Sequence, residues 1–120
     1  LKIVGDQIGS PTYAQELALA IVEVLDKDLS AGSISDIYNV CGLEQLSWYQ
    51  FAVKIFERAN RFGIPCPDII SEIKSNEYSF RAERPMYSAL DCTLFRAKFN
   101  LRQQSLVNNI DKAIRAVISQ

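Results

Sequence analysis

Gly5-Asp6-Gln7-Ile8-Gly9-Ser10-Pro11-Thr12 stands between a β-favouring run, Lys2-Ile3-Val4, and a helical one, from about Tyr13 to Leu25. Two glycines, a proline and several hydrogen-bonding side chains interrupt both patterns, so the chain turns here from a strand into a helix. Thr12 followed by Gln15 has capping-box spacing, and Leu17, Ala18, Ile21, Val24 and Leu25 then recur at helical intervals. A strand that feeds a helix through such a turn leaves free N–H groups and the positive end of the helix dipole beside the loop, where an oxygen-rich ligand is favoured. The same residues also make a plain turn with its cap, and chemistry alone leaves both readings open.

Outward from that turn the signals alternate. The polar stretch Asp26 to Asp36, with Ser30, Gly32, Ser33 and Ser35, predicts a surface loop, and Ile37-Tyr38-Asn39-Val40 a strand after it. Ser47 and Gln50 form a second capping box, with Leu46 placed to staple onto Phe51, and Ala52, Ile55, Phe56 and Ala59 continue an apolar helical face that ends before Gly63. Pro65 and Pro67 stop that helix, and Ile69 to Ile73 predicts a short strand that buries Ile70 and Ile73. Ser75 to Tyr87, with Arg81, Arg84 and Pro85, reads as an irregular loop holding one helical turn around Asn76 to Tyr78, the kind of long loop that often binds. Ser88-Ala89-Leu90 predicts a brief strand, Asp91 an N-cap for a helix carrying Leu94, Phe95 and Ala97, and Gln104 to Ile118 a last helix with Leu106, Ile110, Ala113, Ile114 and Val117 on one face. The sum is an α/β fold with about four helices and four short strands, without an internal repeat.

A chain of 120 residues and 13.5 kDa, 48% hydrophobic and 22% charged, fits one globular domain and argues against disorder. Thirteen basic and 14 acidic residues are spread along it for a net charge of -1, so it lacks the electrostatic footprint of a nucleic-acid or anionic-membrane binder. No apolar run approaches the ~20 residues that span a bilayer, and Leu1 to Gly5 lack the regions of a signal peptide, which leads to a cytoplasmic expectation. Because the chain opens directly in a strand, it is expected to be cut from a longer one, with an exposed edge and apolar face that favour self-association. Cys41, Cys66 and Cys92 are odd in number and widely spaced, and histidine is absent, which removes the disulfide frameworks and usual zinc signatures; they read as small buried hydrophobes in a reducing compartment.

Catalytic patterns are missing as well. A dinucleotide loop needs glycines at G-x-G spacing, and Gly5, Gly9, Gly32, Gly42 and Gly63 provide no such pair. There is no Walker lysine loop, no histidine-based triad, and no tyrosine with lysine four residues later; Tyr49 and Lys54 are one residue too far apart. Glu16, Glu23, Asp26 and Asp28 fall on or just after a solvated helix face and read as structural charge. The remaining chemistry is the first turn and Arg84-Pro85-Met86-Tyr87-Ser88-Ala89-Leu90-Asp91, where a guanidinium able to grip a diphosphate at two points stands beside a proline that fixes the backbone.

Taken together and in order, Asp6-Gln7-Ile8-Gly9-Ser10-Pro11-Thr12-Tyr13-Ala14, Tyr38-Asn39-Val40-Cys41-Gly42, Ser47-Trp48-Tyr49-Gln50-Phe51-Ala52, and Arg84-Pro85 with Ser88 and Leu90-Asp91 resemble the C-terminal part of dTDP-4-dehydrorhamnose reductases, a branch of the extended short-chain dehydrogenases. The resemblance spans nearly the whole chain. It implies a parent enzyme that reduces the 4-keto group of dTDP-4-dehydro-L-rhamnose with NADPH, the last step in making activated rhamnose for surface polysaccharides. It also implies that residues 1–120 are the substrate-binding lobe without the complete Rossmann domain, because in such enzymes the cofactor loop and the tyrosine-lysine pair precede this region. The missing NADP-binding lobe would then be its partner, and the isolated chain would be inactive. Carried over residue by residue, the family pattern puts Gln7, Gly9, Pro11 and Thr12 at the border of the nucleotide-sugar pocket and Arg84 near the diphosphate. Ser88 and Asp91 are expected to shape a turn, and Trp48 and Tyr49 to pack rather than stack on thymine. Some relatives bridge subunits through glutamate-bound metal, but no motif here maps onto those ligands. A sister enzyme for another nucleotide sugar stays open, and so does a non-catalytic module, since the regulatory subunit of methionine adenosyltransferase resembles the same reductases.

Overall fold

Strand β1 (Lys2–Val4) lies parallel to a later strand, β4 (Ser71–Ile73), with Lys2 opposite Ser71 and Val4 opposite Ile73. The computed structural model describes residues 1–31, 36–79, 82–99 and 103–119. After β1 the chain turns and pairs again at once: β2 (Ile8–Gly9) runs antiparallel to β3 (Leu46–Ser47), and Ile8 also bridges Tyr87. Among the described residues four helices, α1 (Ala14–Ala31), α2 (Trp48–Arg61), α3 (Thr93–Lys98) and α4 (Leu106–Ile118), with a 3₁₀ turn at Ser75–Glu77, complete the small mixed α/β fold that the sequence predicts.

The second capping box forms as its spacing requires. Ser47 Oγ accepts the Gln50 backbone N–H at 3.1 Å, the Ser47 N–H donates to Gln50 Oε1 at 2.9 Å, and Leu46 packs in one cluster with Phe51. Helix α2 ends at Gly63, whose φ of +72° is the left-handed conformation that terminates helices. Helix α4 is capped by Ser105 and by carboxylates from elsewhere: Glu16 Oε1 takes the Gln104 N–H at 2.6 Å and Glu44 Oε1 the Leu106 N–H at 3.1 Å. Both acids sit where the dipole of α4 favours negative charge. Glu16 is thus buried, not on a solvated face, and its role is to tie α1 to the entry of α4.

Other expectations shift. Helix α1 continues through Ala31 and so consumes most of the stretch from Asp26 that reads as a loop; Gly32, Ser33 and Ser35, like Arg81 further on, lie outside the described residues. The capping box at Thr12 is one residue out of step with a helix that begins at Ala14. Ile37–Val40 makes no ladder; Tyr38 and Val40 pack instead onto the cluster of Ala20, Phe95 and Phe99. The predicted strand at Ser88–Leu90 reduces to the bridge at Tyr87. Asp91 accepts the Thr93 N–H and hydroxyl at 2.8 and 2.6 Å, which makes a turn before α3, whose N-cap is Cys92.

The molecule is flat, 53 × 36 × 22 Å, with a radius of gyration of 17.2 Å. A sphere-like domain of this length has about 14 Å. The buried apolar residues form two separate clusters, one under α1 and α3 (Ala20, Phe95, Phe99) and another between α2 and α4 (Leu46, Leu106, Ile110). Much of the apolar surface of α1, including Leu19, Ile21 and Val22, stays exposed.

Candidate functional site

The loop from Gly5 to Thr12 is held by hydrogen bonds to several other segments, and those to Ser75 and to Met86–Ser88 build the site. The Asp6 carboxylate accepts the Ser75 backbone N–H at 2.9 and 3.0 Å and the Ser75 hydroxyl at 3.0 Å. Those bonds, the backbone one foremost, hold its pKa below the usual aspartate value. Two residues on, the Ile8 N–H donates to the Met86 carbonyl and the Ser88 N–H to the Ile8 carbonyl, each at 2.8 Å. The irregular segment between Ser75 and Ser88 is therefore fastened at both ends to the residues flanking Gln7, and this brings Arg84 to the same cavity as Gln7.

That cavity, of about 260 Å³, is lined by Lys2, Ile3, Val4, Gln7, Trp48, Tyr78 and Arg84. Gln7 is 4% exposed, and its Oε1 has no hydrogen-bond partner among the described residues. A buried carboxamide oxygen without a partner is costly in a folded protein unless a bound group or water completes it. Two cationic side chains, two half-exposed aromatic rings and a buried amide give this cavity the means to neutralise phosphate, stack on a planar ring and read its edge.

Gly9, Pro11 and Thr12 line a second cavity of about 250 Å³, together with Cys41, Ser47, Trp48, Ser88 and Leu90. Thr12 Oγ1 donates to the Ser10 carbonyl at 3.0 Å and accepts the Gly42 N–H at 3.1 Å. Gly42 must be glycine, since a Cβ built on it would overlap the Pro11 carbonyl oxygen. The Ser88 hydroxyl, 3.2 Å from the Ile8 carbonyl, closes the loop from the other side.

The five residues singled out in the sequence thus fall into two adjoining cavities, Gln7 and Arg84 in one and Gly9, Pro11 and Thr12 in the other. Trp48 lines both. Trp48, expected to pack rather than stack on a base, continues the Phe51–Ile55 stripe of α2 by one turn and is half buried, 50% exposed. Its place at the very start of α2 was the available signal. Lys2 and Tyr78 carried none, because only the β1–β4 pairing and the Asp6–Ser75 bonds bring them together.

The turn after β1 offers no open space beside Gly5. The space that the missing Gly5 side chain leaves is filled by Glu72, whose carboxylate would repel a pyrophosphate. Nor does any group of three or more His, Cys, Asp or Glu side chains able to hold a metal come together among the described residues.

Residues 1–118 match the family model of the RmlD substrate binding domain. The chain belongs to this family. It is 31% identical to the dTDP-4-dehydrorhamnose reductase of Aggregatibacter actinomycetemcomitans over 104 residues, 85% of this chain and 35% of that protein. It is 34% identical to the spore coat polysaccharide biosynthesis protein SpsK of Bacillus subtilis over 90 residues, 75% of this chain and 28% of that protein. The chain therefore spans about a third of the length of these curated relatives. The crystal structure of dTDP-4-dehydrorhamnose reductase from Bacillus anthracis in complex with NADP superposes with a TM-score of 0.78 at 28% identity, over 100% of this chain and 38% of that one. The reductase ortholog from Clostridium acetobutylicum, at 24% identity, shares the fold with a TM-score of 0.79 over 98% of this chain and 39% of that one. No helix is long and apolar enough to cross a membrane among the described residues.

Proposed function

We propose that residues 1–120 are the nucleotide-sugar-binding lobe of an NADPH-dependent reductase that converts dTDP-4-dehydro-L-rhamnose to dTDP-L-rhamnose. In this reading Gln7, Trp48 and Arg84 hold the nucleoside diphosphate, and Gly9, Pro11 and Thr12 border the space for the sugar. The observation that carries it is the pair of cavities meeting at Trp48, one cationic and aromatic, the other of similar size and lined by the glycine-proline turn, in a member of the RmlD family. The hydride donor and the tyrosine-lysine pair belong to an N-terminal NADP-binding lobe, and this chain's own residues bind and orient the sugar nucleotide. Such an enzyme works where NADPH and sugar nucleotides are made, in the cytoplasm.

The test is NADPH oxidation in the presence of the 4-keto sugar nucleotide. The 120-residue chain by itself is expected to oxidise none, while binding dTDP measurably by calorimetry. A longer polypeptide carrying the tyrosine-lysine pair is expected to turn over. A longer polypeptide that has the pair and no activity on any keto sugar nucleotide would remove the reductase reading, and one that lacks the pair would replace it with a binding module.

A further inference from the structure

Two of the three cysteines are neighbours in space. Cys41 and Cys92, 51 residues apart in sequence, have their sulfurs 3.3 Å apart, and both are buried as free thiols. Two cysteines whose side chains point apart cannot be bridged without backbone movement; these already meet. Both thiols also face the Leu90 carbonyl, at 3.6 and 3.8 Å. Cys41 lines the cavity bordered by Gly9, Pro11 and Thr12, which gives a water-sized reagent a route to its sulfur.

We propose that Cys41 and Cys92 form a reversible disulfide when the protein meets hydrogen peroxide, locking one wall of the site. The Cys41 sulfur attacks one peroxide oxygen, the O–O bond breaks, and the thiol proton leaves with the departing oxygen as water, giving a sulfenic acid on Cys41. The Cys92 sulfur then attacks the Cys41 sulfur, the S–O bond breaks, and a second water leaves with the Cys92 proton. Two thiols lose two electrons, and one peroxide gains them to become two waters. Cys41 lines the cavity and Cys92 does not, so Cys41 meets peroxide first and Cys92, whose thiol is pushed up by burial and by the Cys41 contact, resolves it. The new bond fastens Cys41 to the start of α3. The neighbouring Gly42 N–H holds Thr12 Oγ1 at 3.1 Å, so the constraint passes directly into the glycine-proline turn.

The experiment is peroxide treatment of the purified protein followed by alkylation, intact mass and peptide mapping. The expected product weighs about 2 Da less, has Cys66 as its one alkylated cysteine, yields a peptide linked through Cys41 and Cys92, melts higher, and is restored by dithiothreitol. Cys92→Ser should stop at the sulfenic acid, about 16 Da heavier and trapped on Cys41 by dimedone. Oxidation at Cys66 while Cys41 and Cys92 still alkylate would overturn the proposal, as would linked dimers in place of the internal bond. Should the serine variant fail to fold, the peptide map of the unaltered protein decides by itself.

Discussion

Arg58 and Asp111 meet across α2 and α4 through two matched contacts, Nε to Oδ1 and Nη2 to Oδ2, each 2.6 Å. Both side chains are only about one-fifth exposed, and the fork geometry fixes the rotation of one helix against the other. The Arg58 hydrogen bond lowers the Asp111 pKa, and the same bond raises that of Arg58. Asp111 is thus a stronger acid folded than unfolded, so its contribution is present above the unfolded carboxylate value of ~3.9 and is lost as pH falls through the depressed folded value. Asp111→Asn is expected to melt lower at neutral pH and to lose less of its remaining stability between about pH 5 and about pH 2. Melting curves of the two proteins that stay parallel over that range would remove the coupling.

Gly42 and Gly63 are required for different reasons, and alanine separates them. At Gly42 the new methyl group collides with the Pro11 carbonyl, so Gly42→Ala is expected to cost about 1–3 kcal/mol and to weaken dTDP binding through the displaced turn. At Gly63 there is open space and only the positive φ resists, so Gly63→Ala is expected to cost about 1 kcal/mol without touching binding. Urea unfolding and calorimetry on both variants check this; a tolerated Gly42→Ala would mean that the turn at Pro11 yields easily.

Asp6→Asn keeps the shape of the residue and loses its charge. The Ser75 amide is expected to exchange with solvent faster, as is the Met86-bonded amide of Ile8, while the α2 and α4 amides keep their protection. In the unaltered protein the same loosening is expected as pH falls through the lowered Asp6 value, because the clamp needs the carboxylate ionised. Uniform loss of protection across the molecule would make Asp6 a residue of global stability instead.

Arg84→Ala is expected to weaken dTDP binding roughly ten- to a hundredfold, the range of a lost charge-assisted hydrogen bond. Arg84→Lys should recover part of this, since it restores charge without the planar fork. Unchanged affinity in both would place the diphosphate elsewhere.

The exposed apolar surface of α1 leads to a prediction about association. Ile21 and Val22 are each 54% exposed, beside Leu19 at 59%, an apolar run open to solvent on one helix. Light scattering of the isolated chain is expected to show growth in mean mass with concentration, and Val22→Glu to reduce it. A concentration-independent monomer would count against this.

What was legible in the sequence was local. The Ser47–Gln50 box and the face of α4 are written in spacings of three to four residues, and both form, whereas the turn after β1 leads first into β2 at Ile8–Gly9 and reaches a helix only at Ala14. What was not legible depends on residues far apart. Ile37–Val40 has β-favouring side chains, but its neighbours are rings from α3 rather than another strand, so it stays unpaired. Helix α1 outruns its polar tail because nothing in Asp26-Lys27-Asp28 forbids a helix, and polarity alone reads as loop. Glu16 looked like a solvated acid because its partner, the Gln104 amide, is 88 residues away. In the candidate site, Gln7 and Arg84 were named from motif, but that they share a cavity follows only from the hydrogen bonds of Asp6 and Ile8.

Trp48 is the single tryptophan of the chain, and it lines both cavities. The protein thus carries its own fluorophore at the position where a ligand would arrive. Emission from an indole half open to water responds to whatever displaces that water, so occupancy of either cavity can be followed without a label, and quenching by iodide reports how much of the ring a ligand covers.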